Sequence, residues 1–597
     1  MLSPKLACLA LTVGLASGAV QALPYQNYNG QPSSPPMTLP NGAVAPQAAL
    51  ASMQANLPQG KKAVQIDKGI WQLSGFNFFN PTVVELERGL LVIESGERVE
   101  DGVLFRKIIR EQISTKPIIA VSCTHSHYCK GTTGLLDGDS NVKTIAHKDM
   151  NTLMQAKGTA IGAVSIPELM PLAVGRSQIQ FNHYMPKQGA DAAYAVTLDP
   201  HAPSGFVTVN TPVDDGQVMQ LDELKLQFFT EVMDDAVTIT IYAPELGIVL
   251  GNNVLWAAIP NMYTLRGDTY RDPKLMVEAV QTIRDLQPKK VISTHFRPLL
   301  DAKSSLETLN LYMDGITSIY DQTIRLANRG VSPDELGHQL QLPKAVANGG
   351  VAVESYGQIE HFPRAIYDNA MGWFSGRAED LHQLPRAEEA RRLVALAGGA
   401  DKVMAQYQDA MAKHEYLWAS KLANYLRLTD PQIAEYRQAL AASFREMGKL
   451  SYGTITRAFY ITAAEALEGK QLVLLSELPT QPEVLADPLR YVDFLRTRID
   501  PTKADGYEEV LQISLDGGAA RALHVRDGAV EFVVKPDAHY RQPGVKMDCS
   551  KEAFAVYYRG ETTPAEFVAG CKFAAGDAQQ AAAFLDKFDP AMQASLY

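Results

Sequence analysis

Ile118-Ile119-Ala120-Val121-Ser122 runs through Cys123 into Thr124-His125-Ser126-His127, and this stretch decides the fold. Its first five residues carry no charge and read as a buried strand. Two histidines one residue apart at the strand's end can both turn toward one metal ion if the backbone leaves the sheet there, since imidazoles ligate zinc at about 2.0–2.1 Å. Upstream, Ile70-Trp71-Gln72-Leu73, Thr82-Val83-Val84-Glu85-Leu86 and Leu90-Leu91-Val92-Ile93 are predicted strands, the last closed by Glu94-Ser95-Gly96, and residues 103–113 fit an amphipathic helix. Downstream, residues 225–229, 237–242, 248–250 and 291–294 are predicted strands and residues 273–286 a helix. Strands and helices mixed in this order predict a layered α/β domain to about residue 300.

Beyond Ser304 the period changes to that of helices, over residues 309–329, 387–396, 400–412, 416–428 and 431–447, broken at Gly398-Gly399 and Asp430-Pro431. After about residue 478 an α+β pattern returns, with strands at 510–514, 522–525 and 529–534 around Asp516-Gly517-Gly518 and Asp527-Gly528 turns. At the other end, residues 23–58 are rich in Pro, Gly, Gln and Asn and read as an extended arm or linker. Lys5 followed by the apolar run 6–20 and Val20-Gln21-Ala22 reads as a secretory signal.

The 597 residues rule out one small binding module, and 46% hydrophobic with 20% charged residues excludes disordered and fibrous classes. A net charge of −11, which becomes −12 once the signal's single Lys is removed, speaks against nucleic acid and anionic lipid surfaces as partners. The apolar run is shorter than the ~20 residues that cross a bilayer, so no membrane span is expected and the mature chain is expected to be periplasmic or secreted. Export permits disulfides, and Cys549 and Cys571 are near enough in sequence to pair.

The chain resembles the secreted alkyl sulfatases of the metallo-β-lactamase superfamily. The likeness rests on Leu91-Val92-Ile93-Glu94, Thr124-His125-Ser126-His127, Thr230-Glu231, Asn261-Met262-Tyr263-Thr264-Leu265-Arg266-Gly267, Thr294-His295, Tyr356-Gly357, His361 and Met371-Gly372-Trp373-Phe374, in the family's order. It implies a metallo-β-lactamase αββα sandwich, an all-α dimerisation domain and an α+β sterol-carrier-like domain. The expected division is a signal peptide at 1–22, an arm at 23–60, the sandwich at 61–303, the dimerisation domain at 304–475 and the sterol-carrier-like domain at 476–597. A homodimer and a small anionic amphiphile as ligand are implied with it.

In such families a His-x-His-x-Asp-His loop, two later Glu residues and a later His hold two metal ions. Here Cys129 stands where the Asp belongs and Lys130 where the last His belongs, and counting back from Arg266-Gly267 puts Asn252 or Asn253 at the second Glu. The resemblance makes Glu231 the first acidic ligand, with Asp234 and Asp235 close by, and His295 the last ligand. His125, His127 and Glu231 would then hold one zinc with an open position for water, while the second ion would depend on Cys129, Lys130 and His295. Cys129 reads as a soft ligand, a nucleophile, an inert thiol or a partner of Cys123. Lys130 reads as a substitute cation acting in catalysis or as a solvated loop charge. Arg266 falls where the family holds sulfate, a role suited to a planar fork, with Asn261, Tyr263 and His361 as further substrate contacts. Two readings follow: a hydrolase that cleaves alkyl sulfate esters to alcohol and sulfate, or a catalytically inactive relative that binds an anionic amphiphile.

Overall fold

The computed structural model describes residues 28–597 apart from 31–33, 58–59, 140, 158–163, 196, 199–201, 534–535, 537–540 and 592. The signal expected at 1–22 lies outside the described residues.

Seven strands follow one another across the first sheet in chain order, from Lys62–Asp67 to Thr211–Val213. Pairing is antiparallel up to Leu90–Ile93 and parallel from there through Ile118–Ser122, Lys143–His147 and Thr211–Val213. Leu90–Ile93 shows why the run reads as continuously apolar: Leu91 and Ile93 enter one core cluster while Leu90 and Val92 enter another. Period-two alternation sends them to opposite faces, and both faces are covered.

On one face Leu91, Ile93 and Ala120 meet Phe228, Ile239 and Leu250 of a second, five-stranded sheet that runs from Val218–Leu221 to Lys290–Val291. On the other face Val92 and Val121 meet Phe105, Ile108 and Ile109 of helix Val99–Gln112. Helix Pro273–Asp285 covers the outside of the second sheet through Met276, Val280 and Ile283 packed on Val249 and Val291. Asp272 caps that helix by accepting the Lys274 N–H, and Pro273 opens it where no N–H is required. The layers are therefore helix, sheet, sheet, helix, the αββα sandwich that the resemblance implies.

Helix Ala302–Ala327 continues from the sandwich, and helices Arg386–Leu396, Ala400–Ala412, Tyr416–Thr429, Ala434–Leu450 and Thr454–Leu467 build a helical core around Val403, Leu422, Leu426 and Leu440. The last part of the chain is a five-stranded sheet backed by helices Lys551–Tyr558, Pro564–Ala569 and Ala578–Leu585, with Phe554, Phe567 and Phe584 in its core. Cys549 and Cys571 are bonded, tying one of its strands to the start of the next.

The described part of residues 23–58 differs from the extended arm that composition suggests. Pro36–Thr38 pairs with Val44–Pro46, and Gln47–Asn56 is a helix that buries Ala49 and Leu50. Its Ala, Gln, Leu and Met residues are strong helix formers, so propensity and docking suffice where the apolar period is weak.

Candidate functional site

The strand Ile118–Ser122 ends against its neighbour, and the chain rises through Thr124 and His125 into the single turn Ser126–Tyr128. Glu94, at the end of the adjacent strand, holds this rise by accepting from the Thr124 N–H at 3.0 Å and from the Thr124 hydroxyl. Its backbone is left-handed, at φ 70°, a conformation usual at constrained sites and rare elsewhere for a residue with a side chain. Burial pushes the Glu94 carboxyl up to about 7.

His125 lies between two carboxylates, with Nδ1 3.1 Å from Asp235 and Nε2 3.7 Å from Asp234. Asn253 donates to the other Asp234 oxygen at 2.8 Å and so fixes its orientation. His127 Nδ1 is hydrogen-bonded to Glu97, whose burial raises its pKa while Lys130 pulls it back. His295 donates from Nδ1 to the Phe78 carbonyl at 3.2 Å, an atom that only accepts, so its Nε2 takes the Tyr128 O–H at 2.6 Å. Trp256 stacks on the His295 ring at 3.9 Å, and burial holds His295 well below its ordinary pKa, in the neutral form.

A cavity of about 380 Å³ opens beside these groups. His127, Asp234, His295, Asn261, Arg266 and Arg271 give it a polar end, while Met53, Leu57, Phe78, Leu198 and Met276 give it an apolar wall. Arg266 is 6% exposed and bonded to Asp268 at 2.6 Å; Asp268 also takes Arg271 at 2.9 Å, leaving the trio with one net positive charge at the cavity. Both polar atoms of the Asn261 carboxamide are buried without a hydrogen-bond partner, a cost that a ligand in the cavity would relieve.

The structure separates several residues that the sequence groups together. Glu231 does not meet the histidines: it ends strand Leu224–Glu231 with its carboxyl on the Thr240 hydroxyl at 2.7 Å, and burial pushes it up to about 8. The chain turns after it, and the turn carries Asp234 and Asp235 over His125 instead. Two adjacent aspartates just past a strand's end, level with the histidine loop, were the signal for this. Cys129 is neither ligand nor nucleophile, because its sulfur is bonded to Cys123 and has no thiolate to offer. Lys130 is 4% exposed, so it is not a solvated loop charge, and its ammonium acts on Glu97 behind the cavity. Tyr263 and His361 line a different groove of about 780 Å³, which shares Arg271 with the cavity. Sequence reasoning passed over Tyr128 and Glu97, whose partners His295 and His127 stand 167 and 30 residues away.

Two imidazoles and a carboxylate are the donor types of a three-ligand metal site, and His125, His127 and Asp234, beside the cavity, are of these types. Their ligand atoms are not gathered: among the described residues, the trio lying within 4.8 Å of one another is Glu87, Asp222 and Glu223 at the surface. The positions at which the resemblance puts the second ion's ligands are occupied otherwise. Cys129 is in a disulfide, Lys130 is a cation, Asn253 is neutral and the His295 lone pair takes the Tyr128 hydroxyl.

Comparison with known proteins gives a consistent picture. Residues 332–470 match the model of the alkyl sulfatase dimerisation family. A linear primary-alkylsulfatase of Pseudomonas sp. is 30% identical over 474 residues, which cover 75% of this chain and 88% of that protein. An (R)-specific secondary-alkylsulfatase of Pseudomonas sp. is 24% identical over 490 residues, covering 80% of this chain and 73% of that one. Among solved structures, the stereoselective inverting sec-alkylsulfatase Pisa1 from Pseudomonas sp. superposes with a TM-score of 0.73 at 21% identity, covering 95% of this chain and 94% of its own, a likeness of fold.

Proposed function

The chain belongs to the alkyl sulfatase family, and on that footing we propose that it hydrolyses sulfate esters of aliphatic alcohols to alcohol and sulfate. The observation that carries this reading is the cavity that joins an apolar wall to Arg266 and the unpartnered Asn261 carboxamide. Arg266 and Asn261 bind the sulfate oxygens, the fork by charge-assisted bonds and the amide by its N–H groups. Asp268 fixes Arg266 from behind, and the apolar wall takes the tail and excludes water from it. His295, locked by Phe78, Tyr128 and Trp256, forms a rigid neutral side of the headgroup pocket. A zinc ion held by His125, His127 and Asp234 would supply a bound water of lowered pKa or polarise the ester. Asn253 and Glu97 orient two of those donors.

The same reading makes the protein an exported homodimer. The dimerisation-family match at 332–470 supports the dimer, and the apolar run at 6–20 together with two disulfides supports an oxidising compartment.

A second reading, binding of an anionic amphiphile without turnover, is favoured by one observation: the lost second-ion ligands are replaced by a disulfide, a lysine and a tyrosine–histidine bond. Sulfate release from octyl sulfate, followed by ion chromatography with added zinc, iron or manganese, separates the two. Hydrolysis predicts release that falls by about a hundredfold or more in Arg266→Ala. Tight binding with no release under any metal would establish the second reading.

A further inference from the structure

Part of the apolar wall of the cavity comes from two segments far apart in the chain, the arm and a loop in the long connection between strands Lys143–His147 and Thr211–Val213. Met53 and Leu57 come from the arm helix and the residue that ends it, and Tyr194 and Leu198 from the loop that follows Gly189. That loop is anchored to the helical region. Arg457, 2% exposed in helix Thr454–Leu467, donates to the carbonyls of Ala190 at 2.9 Å, Ala192 at 3.1 Å, Val44 at 2.7 Å and Gly448 at 3.1 Å. Its guanidinium lies 5.2 Å from the centre of the Tyr194 ring, and Asn41 of the arm donates to the Ala193 carbonyl at 2.8 Å. One buried cation thus joins the arm, the wall loop and the helical region.

We propose that this wall gauges the length of the aliphatic tail, with Met53, Leu57 and Tyr194 as specificity residues and Arg457 as the residue that positions them. The inference rests on the sulfate-ester reading of the cavity. A cavity of about 380 Å³ is finite, of the size that takes one sulfate group and a tail on the order of eight carbons, so methylenes beyond that length lie outside it. Each methylene buried against the wall strengthens binding about fourfold, and a methylene beyond it, in water, adds nothing. Met53 and Leu57 are half-buried, so filling the space from them disturbs no core.

The test is calorimetric binding of butyl, hexyl, octyl, decyl and dodecyl sulfate, below their micelle concentrations, to the full mature chain. The wild-type series is expected to tighten with each pair of carbons and level off near octyl. Leu57→Trp and Met53→Trp each move the plateau to shorter tails and weaken octyl sulfate by at least about tenfold while leaving butyl sulfate unchanged. Arg457→Lys flattens the dependence on length without changing butyl sulfate, a result that a purely structural role would not give. Equal weakening of every tail in the Trp variants, or tightening that continues unbroken to dodecyl in the wild type, overturns the gauge while the headgroup reading stands. If no alkyl sulfate binds the wild type at any length, the sulfate-ester reading falls and the gauge falls with it.

Discussion

Glu354 is 7% exposed and accepts the Ile359 N–H at 2.7 Å, and burial pushes its carboxyl from an ordinary 4.5 up to about 8. A carboxyl whose folded pKa lies above its unfolded one contributes stability that is whole below about pH 4.5 and is lost as the pH rises through 8. Glu354→Gln keeps the acceptor and removes the titration. Urea unfolding at pH 5 and pH 9 is therefore expected to show the wild type losing at least ~1 kcal/mol more than the variant across that interval, and equal losses would refute the assignment. At the headgroup, Arg266→Lys keeps the charge and loses the fork, so octyl sulfate should bind about tenfold more weakly by calorimetry. The histidine pair stood out as candidate ligands by residue type and spacing, and Arg266 as a candidate anion contact through the family resemblance. Glu231 and Asp234 are hard to tell apart because a carboxylate on a strand and one just beyond it look alike in a sequence, whereas the fold buries the first against Thr240 and sets the second 3.7 Å from His125.

At the scale of elements, the doubly covered strands around Leu90–Ile93 and Ile118–Ser122 were readable because an apolar run of that length fits few other settings. Helix Thr454–Leu467 was not readable. Eleven of its residues are buried, from Thr454 to Leu467, so it has no wet face and no period to detect. The arm helix escaped for the opposite reason, since it is short and shows little apolar periodicity. Cys549 and Cys571, 22 residues apart, close a loop across the last sheet. Removing that closure in Cys549→Ser/Cys571→Ser should destabilise the C-terminal part by about 3 kcal/mol, read as an earlier urea transition in its circular dichroism. An unchanged transition would mean the bond is dispensable.

The whole molecule presents Met371 and Trp373, each 69% exposed, inside the stretch matched to the dimerisation family. Under the homodimer reading these two side chains are the first candidates for the contact between copies. Light scattering on the eluting protein should give the mass of two chains, and Met371→Glu/Trp373→Glu should give one; a monomeric wild type would remove the homodimer. A layered α/β part, a helical region and a closing α+β part were legible in runs and periods along the chain, while the αββα arrangement came from the family resemblance. The cavity was not legible, because its walls come from the arm, the loop after Gly189 and the sandwich, which meet only in the folded protein.

The proposed function rests on a cavity whose polar end would hold one metal ion through His125, His127 and Asp234. Elemental mass spectrometry of the untagged mature protein, beside a His125→Ala/His127→Ala control, tests it most directly. The account predicts one zinc per chain, absent from the control; two ions per chain would contradict it.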